Sequence, residues 1–289
     1  MMHAIRGLLL AATFITPAAV LVLILNAVLL ASPVLAGNSP ASNDAGMLAG
    51  MFSNEEQVYF DSEAGRKGPS WAMLRITATG DQVSITSVDA FGAAKGPALT
   101  GQLKREGKRV VLDHGACERI YTPISGALVA DGNRGDCTGL PAIARIGPYG
   151  LELAGNDGQV SDMRRARSVS CWVAVLRDKP KADGKEDWYF QRDVLLHDQG
   201  GRAAVGGGET GAQPIVIRVR NVTWDKGSTN RPVVALYAHK PDKPAHAEAY
   251  SWAAPDSARV GINLRWMQSG CNIGPVAPAS QLTAEKFRG

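Results

Sequence analysis

Short segments in which apolar and polar residues alternate, separated by turns that contain glycine, run through most of this 289-residue chain. Alternation with a period of two places successive side chains on opposite faces of a β-strand. The segments 74–76 and 83–85 flank a Gly80-Asp81 turn, which is typical of a β-hairpin. Such short, closely spaced strands predict a barrel or a sandwich. Further strands of this first series are predicted at 99–103, 109–112, 119–122, 127–130, 142–146 and 149–154.

A second series of strands begins after residue 170. The segment 215–220 alternates aliphatic residues with Val216, Arg218 and Arg220, so its strand is expected to carry aliphatic side chains on one face and arginines on the other. We therefore predict an all-β protein with one short helix within 45–64 and two domains, a first over 46–167 and a second, β-sandwich-like domain over 168–277. The other strands of this series are predicted at 171–175, 188–196, 232–239, 248–252 and 260–266.

The first 36 residues have the composition of an export leader. Arg6 precedes an uncharged stretch over 7–31, and Val34-Leu35-Ala36 ends the segment with a site similar to A-x-A. The sequence predicts a signal peptide over 1–36, with retention as a membrane anchor as the alternative, because the apolar stretch is long enough to span a bilayer. A linker is predicted over 37–45 and a flexible tail over 278–289. The predicted location is periplasmic or secreted, and membrane contact is expected only if the leader is retained.

All four cysteines lie in the part that would be exported. An even number of cysteines in an exported chain indicates disulfides rather than reactive thiols. Three pairings are open, and we favour Cys117–Cys137 with Cys171–Cys271, because each bridge then stays within one predicted domain. The second bridge would tie the first strand of the second domain to its last. No C-x-x-C spacing is present, so structural zinc is not predicted.

Charge gives no indication of a nucleic-acid partner. The chain carries 31 basic and 27 acidic residues for a net charge of +4, and loss of Arg6 with the leader lowers it by one. The densest basic cluster is short enough to be a solvated strand edge, whereas a nucleic-acid binder shows a basic face or stripe. That cluster consists of Arg164, Arg165 and Arg167.

Motifs of hydrolases and metalloenzymes are missing from the sequence, which contains no G-x-S-x-G, S-x-x-K or H-E-x-x-H. His197 and Asp198 are adjacent, and adjacent residues of a strand point to opposite faces, so the pair is expected to mark a strand end rather than a general base with its acid. His239 and His246 flank a proline-containing loop and are not predicted to bind a metal. No metal site and no cofactor are predicted.

Aromatic residues concentrate in the second half of the chain. Five of the six tryptophans lie there, and a β-rich core accounts for most of them, with a surface for carbohydrate or a chromophore as the alternative. These five are Trp172, Trp188, Trp224, Trp252 and Trp266.

The segment 48–58 resembles the opening of the CpcT/CpeT-type chromophore lyases, whose first helix carries a G-x-aromatic-x-N-x-x-Q pattern. Gly50, Phe52, Asn54 and Gln57 match this pattern. A looser similarity is the run 119–121, Arg-Ile-Tyr, which resembles the end of a P-Y-R-x-R-V-Y segment in the same family. The resemblance implies an antiparallel barrel similar to calycins and lipocalins over the first domain. Members of this family attach linear tetrapyrroles to cysteines of phycobiliproteins.

The resemblance leads to an expected ligand site in the first domain. An apolar or tetrapyrrole-like molecule would lie in the barrel, with Asn54 and Gln57 at its mouth and Arg119 and Tyr121 as further ligand-binding residues. The alternative is a non-catalytic cell-envelope module, structural or for protein interaction, with an envelope protein as partner. Enzyme activity is left open and would at best be that of a related lyase.

Overall fold

The computed structural model describes residues 40–155, 158–224 and 227–275. The predicted leader, the tail over 278–289 and residues 37–39 of the predicted linker lie outside these residues. All described residues belong to one compact unit within Asn38–Gly289. No helix among the described residues has the length and apolar character needed to cross a bilayer.

The chain enters the fold through two short helices rather than the single one predicted within 45–64. Helix α1 spans Pro40–Leu48, strand β1 spans Gly50–Ser53 and helix α2 spans Glu55–Glu63. The β1 segment leaves the helical conformation because it pairs on both sides, with β2 (Met73–Thr79) and β10 (Val160–Arg165). Pairing and burial of Phe52 on β1, which is fully buried, override the weak helical propensity of this stretch.

Ten strands among the described residues form a closed antiparallel barrel, in which each strand pairs with its neighbours in sequence and β1 joins β10. The hairpin predicted at 74–85 is confirmed, with Ile76 opposite Ile85. Strand β10 is not among the predicted strands. The remaining barrel strands are β3 (Gln82–Ser87), β4 (Leu99–Glu106), β5 (Arg109–Asp113), β6 (Cys117–Ile124), β7 (Ala127–Gly135), β8 (Ile143–Ile146) and β9 (Gly150–Ala154).

Buried side chains occupy the inside of the barrel. Every barrel strand contributes at least one of them, and α1 adds Ala45 and Leu48 to the same cluster. The Arg165 guanidinium donates hydrogen bonds to the carbonyls of Met47, Ala49 and Gly147 and lies 4.6 Å from the centre of the Phe52 ring. A barrel interior filled in this way is a packed core.

Two four-stranded antiparallel sheets follow the barrel and pack face to face, with strand orders β12-β11-β18-β17 and β13-β14-β15-β16. We call them the β11 sheet and the β14 sheet. They confirm the predicted sandwich-like part. Strands β13 and β18 are not predicted as separate elements. The bounds are β11 (Ser168–Leu176), β12 (Trp188–His197), β13 (Gln199–Val205), β14 (Ile215–Val222), β15 (Val233–His239), β16 (Ala247–Ala253), β17 (Arg259–Asn263) and β18 (Met267–Ile273), with a 3-10 turn at Gly208–Thr210.

The core of the sandwich lies between the two sheets and consists mainly of valine, isoleucine and leucine. Both predicted disulfides are confirmed. Cys117–Cys137 lies in the barrel part, and Cys171–Cys271 joins directly opposite residues of β11 and β18 inside the sandwich core. Two disulfides are typical of proteins from an oxidising compartment outside the cytoplasm.

The arginine cluster at 164–167 is not a solvated strand edge, so that prediction is wrong for two of its three members. Arg165 reaches into the barrel, as described above. The Arg167 side chain is only 9% exposed and pairs with the fully buried carboxylate of Asp198 at 2.5 Å. The backbone N–H of Arg167 also donates to Asp198 at 2.8 Å. Arg167 is placed inward because the buried Asp198 carboxylate lies within its reach. Arg165 is held by backbone carbonyls instead.

Candidate functional site

Asn54 and Gln57, the first two predicted ligand residues, are engaged in holding α2 to the barrel. Asn54 is 1% exposed; its side-chain amide donates to the Ser70 carbonyl at 2.9 Å and accepts from the Ala72 N–H at 2.7 Å. Gln57 donates to the Val160 carbonyl at 3.0 Å and accepts from the Asp162 N–H at 2.8 Å. Each amide therefore satisfies backbone groups of the barrel, just before β2 for Asn54 and on β10 for Gln57.

Arg119 and Tyr121 lie on β6, on the other side of the barrel from β1 in the strand order. Arg119 donates to Asn133 and to the Leu140 carbonyl, both at 3.2 Å. Tyr121 is 1% exposed, and its hydroxyl has no hydrogen-bond partner among the described residues. Burial raises the pKa of this phenol to about 12. The four predicted residues are not brought together into one site, and their ligand role stays a prediction.

The histidines do not combine into a catalytic or metal-binding group. Asp198 serves Arg167 rather than His197, and burial lowers the pKa of His197 although the charge of Asp198 opposes this. Nδ1 of His239 lies 3.0 Å from the His246 carbonyl, which agrees with a surface-loop role for His246. Within the described ranges, no three His, Cys, Asp or Glu side chains lie close enough together to hold a metal ion.

Helix α2 meets the outer face of the β14 sheet through two ion pairs, which we call the Glu–Arg ladder. Glu55 pairs with Arg218, and Glu56 Oε1 accepts from Arg220 Nε at 2.8 Å. The side chains of the second pair are only 3% and 5% exposed. Burial lowers the pKa of Arg218 against the charge of Glu55, whereas Glu56 outweighs burial and raises the pKa of Arg220.

Neighbouring groups complete the ladder. Trp71 Nε1 donates to Glu55 Oε2 at 2.5 Å, and the Arg220 guanidinium lies 4.1 Å from the centre of the Tyr59 ring. Gly200 on β13 has φ +82°, and a Cβ atom there would come within 2.7 Å of the Glu55 carboxyl carbon. Glycine is therefore required both for the backbone conformation and for the close approach. These contacts fix the barrel to the sandwich.

The outer face of the β11 sheet carries an exposed pair of stacked aromatic rings. Trp172 and Phe190 stack with ring centres 5.7 Å apart and planes inclined by 23°, yet remain 38% and 47% exposed. The indole leans across Gly270, where a Cβ atom would lie only 2.6 Å from its Nε1. Exposed large aromatic rings on a sheet face, with a full core behind them, are typical of a binding surface.

Two hollows flank Trp172 on this face, of about 600 Å³ and about 460 Å³. Trp172 and Asn272 line both of them. The larger also has Asn263 and Gln268 at its wall, and neither these amides nor that of Asn272 makes a side-chain hydrogen bond within the described part of the chain. We call this surface the Trp172 face. It combines stacked rings with free amide donors and acceptors, which suits a ligand that is both apolar and polar.

Part of this arrangement is predictable from the sequence. Period-two alternation over 169–175 places Trp172 on the face opposite Cys171, and therefore outside the sandwich if Cys171 is inside. Phe190 cannot be placed in this way, because Asp193 has φ +53° and the register of β11 with β12 shifts between Cys171 and Val173. The Glu–Arg ladder joins residues more than 160 positions apart, and no local pattern predicts such a pair.

Comparison of the chain with protein-family models, with curated proteins and with solved structures found no match. The resemblance of the segment 48–58 to chromophore lyases is therefore supported by its own residues alone.

Proposed function

We propose that this protein is an exported, non-catalytic binding protein of the periplasm or the extracellular space, and that it attaches to an envelope component through the Trp172 face. The observation that carries the proposal is the stacked pair of Trp172 and Phe190, which stays exposed while both cores of the fold are filled. The two disulfides and the leader-like first 36 residues support export. In this proposal the barrel is a rigid support.

A ligand inside the barrel is the weaker candidate. The buried side chains of the barrel cluster occupy its interior, and Asn54 and Gln57 already have hydrogen-bond partners. A pigment or lipid would have to displace packed side chains, each at a cost of about 1–3 kcal/mol or more. The Trp172 face requires no such rearrangement.

Co-sedimentation with the cell envelope tests the proposal. Purified protein would be mixed with envelope prepared from cells of its own source, and the bound fraction measured for wild type, Trp172→Ala and Phe190→Ala. We expect both variants to lose most of the binding, since each removes one ring of the exposed pair. Trp252→Ala is the matched control, because Trp252 is 63% exposed on β16 in the other sheet. Equal binding by all four proteins would overturn the proposal.

Export has its own test. Recovery of the protein from the periplasm or medium, with an N-terminus near Gly37, would agree with a cleaved leader, and an intact leader in the membrane fraction would indicate the anchored alternative. Exclusive recovery from the cytoplasm would contradict export.

A further inference from the structure

The Trp172 face is elongated. Its two hollows lie on either side of one tryptophan and share Asn272, so together they form a single track across the outer face of the β11 sheet. Two glycines shape the floor of the larger hollow. Gly261 adds no side chain there, and a Cβ atom on it would approach the Ser269 carbonyl oxygen to 2.9 Å, while Gly270 lets the Trp172 indole lie against its strand. A track of this shape suits an extended chain that crosses the indole.

The chemistry of the track is divided between rings and amides. Trp172 and Phe190 offer aromatic surface. Asn263, Gln268 and Asn272 each offer an N–H₂ donor and a carbonyl acceptor, and their amides make no hydrogen bond to another described residue. A sugar ring has the matching character, because its C–H face is apolar and its edge carries hydroxyls that both donate and accept. Hydroxyls that rotate freely can satisfy either end of an amide.

We infer that the Trp172 face binds a polysaccharide, with successive sugar rings on either side of Trp172 and their hydroxyls bonded to Asn272 and the neighbouring amides. This inference rests on the proposed function and names its ligand class. An extended chain of equatorially linked rings fits the open, flat track better than a coiled one, because only an extended chain keeps several rings against the same sheet face. The larger hollow and the smaller one each take at least one ring.

The other ligand classes fit less well. Single-stranded nucleic acid requires a basic groove along its phosphates, and the walls of the two hollows offer only Arg192 and Arg259, with Asp193 beside the first. Arg192 is also placed over the Phe190 ring, 5.2 Å from its centre. A lipid or other purely apolar ligand would leave the three amides of this face without partners. A sugar chain uses both the rings and the amides.

The experiment is a titration of the purified protein with defined oligosaccharides, followed by calorimetry and tryptophan fluorescence. The probes are cellohexaose and chitohexaose, which are extended and equatorially linked, and maltohexaose, which coils. We expect binding of at least one extended probe, and weaker or no binding of maltohexaose. The relative affinity for chitohexaose, whose N-acetyl groups can bond to amides, separates an amino-sugar polymer from a neutral glucan.

Variants locate the binding. Trp172→Ala should weaken the affinity at least about tenfold, because ring contact and buried apolar area are both lost. Asn272→Leu keeps the exposed position filled and removes only the hydrogen bonds, so a loss of affinity there shows that polar recognition is involved even if Trp172→Ala unfolds. Trp252→Ala should bind as the wild type does. All variants are first compared by thermal melting.

The outcomes separate this inference from the proposed function. No binding of any oligosaccharide at millimolar concentration, or binding that neither Trp172→Ala nor Asn272→Leu weakens, overturns the polysaccharide. If envelope co-sedimentation still depends on Trp172 in that case, the proposed function stands with another ligand. Binding of an oligo-dT strand or of phospholipid vesicles through Trp172, in place of the oligosaccharides, would overturn the polysaccharide and name that ligand.

Discussion

The Glu–Arg ladder offers the sharpest test of how this fold is held together. Glu56 and Arg220 are 3% and 5% exposed and 2.8 Å apart, so Glu56→Met leaves a buried guanidinium without its counter-charge. Two unit charges about 4 Å apart attract each other by about 4 kcal/mol at an effective dielectric constant of about 20. Breaking a buried pair costs about 3–5 kcal/mol. The Tyr59 ring, 4.1 Å from the guanidinium, retains part of the interaction, so we expect a loss of about 3–4 kcal/mol.

Removing both charges together is expected to be mild. Arg220→Met alone strands the Glu56 carboxylate and should cost a similar amount, whereas the double variant replaces both charges by apolar side chains and should regain most of the loss. In a protein of this size a cost of about 3–4 kcal/mol corresponds to a melting temperature about 6–16 °C lower. Asp183→Asn, which breaks the exposed pair with Lys185, is the control and should leave the melting temperature unchanged.

Urea unfolding, followed by circular dichroism and by tryptophan fluorescence, measures the free energy of unfolding of the wild type, the two single variants and the double variant. The measurement is valid if the two signals change together. The double-mutant cycle then gives the coupling between the two side chains. Single variants that cost less than about 1 kcal/mol, or that simply add in the double variant, would refute the reasoning that this pair is buried and mutually dependent.

Three further predictions concern single features of the fold. Replacing Cys171 and Cys271 by serine should lower stability by about 5 kcal/mol in the chain-entropy model, since the bridge closes a loop of 100 residues; equal urea midpoints with and without reductant would contradict this. Tyr121→Phe should be neutral or slightly stabilising, and in the wild type stability should fall between pH 10 and about 12 as the unfolded phenol ionises first, which a pH series of urea melts on both proteins checks. Burial lowers the pKa of His197, so the unfolded state takes up a proton first and stability should fall as the pH drops below about 6.5; a His197→Gln variant with the same pH profile would show that another group is responsible.

The sequence is sufficient to predict the all-β class, the two disulfides and most of the strands. Alternation makes the strands visible, because a half-buried antiparallel strand repeats every two residues. The even number of cysteines and their positions in the two domains indicate the disulfides. Strand β10 ends in Arg164 and Arg165, and β13 begins with Gln199-Gly200-Gly201, which looks like a turn. Both are strands only because a partner lies beside them, β9 for the first and β14 for the second. Tertiary pairing of this kind leaves no local signal.

The candidate site is harder to predict than the fold. A short motif singles out Asn54 and Gln57, and a motif does not say whether an amide faces a ligand or a backbone carbonyl. The sequence does not distinguish Trp172 from the other tryptophans. Whether its side chain is exposed depends on which face of β11 the core covers. Cys171 and its bridge to β18 determine which face of β11 is buried. The distribution of aromatic residues along the sequence gives no information on this.

The bridge between β11 and β18 also has a mechanical consequence. Any pull applied between the N-terminal end of the chain and its last residues passes from Cys171 straight to Cys271, and the strands between them bear none of the load. As long as the Cys171–Cys271 disulfide is intact, about a hundred residues, or roughly 330–360 Å of extended chain, cannot be extended by the applied force. Under tension the barrel would therefore yield first, and the Trp172 face would keep its shape while the support behind it unravelled.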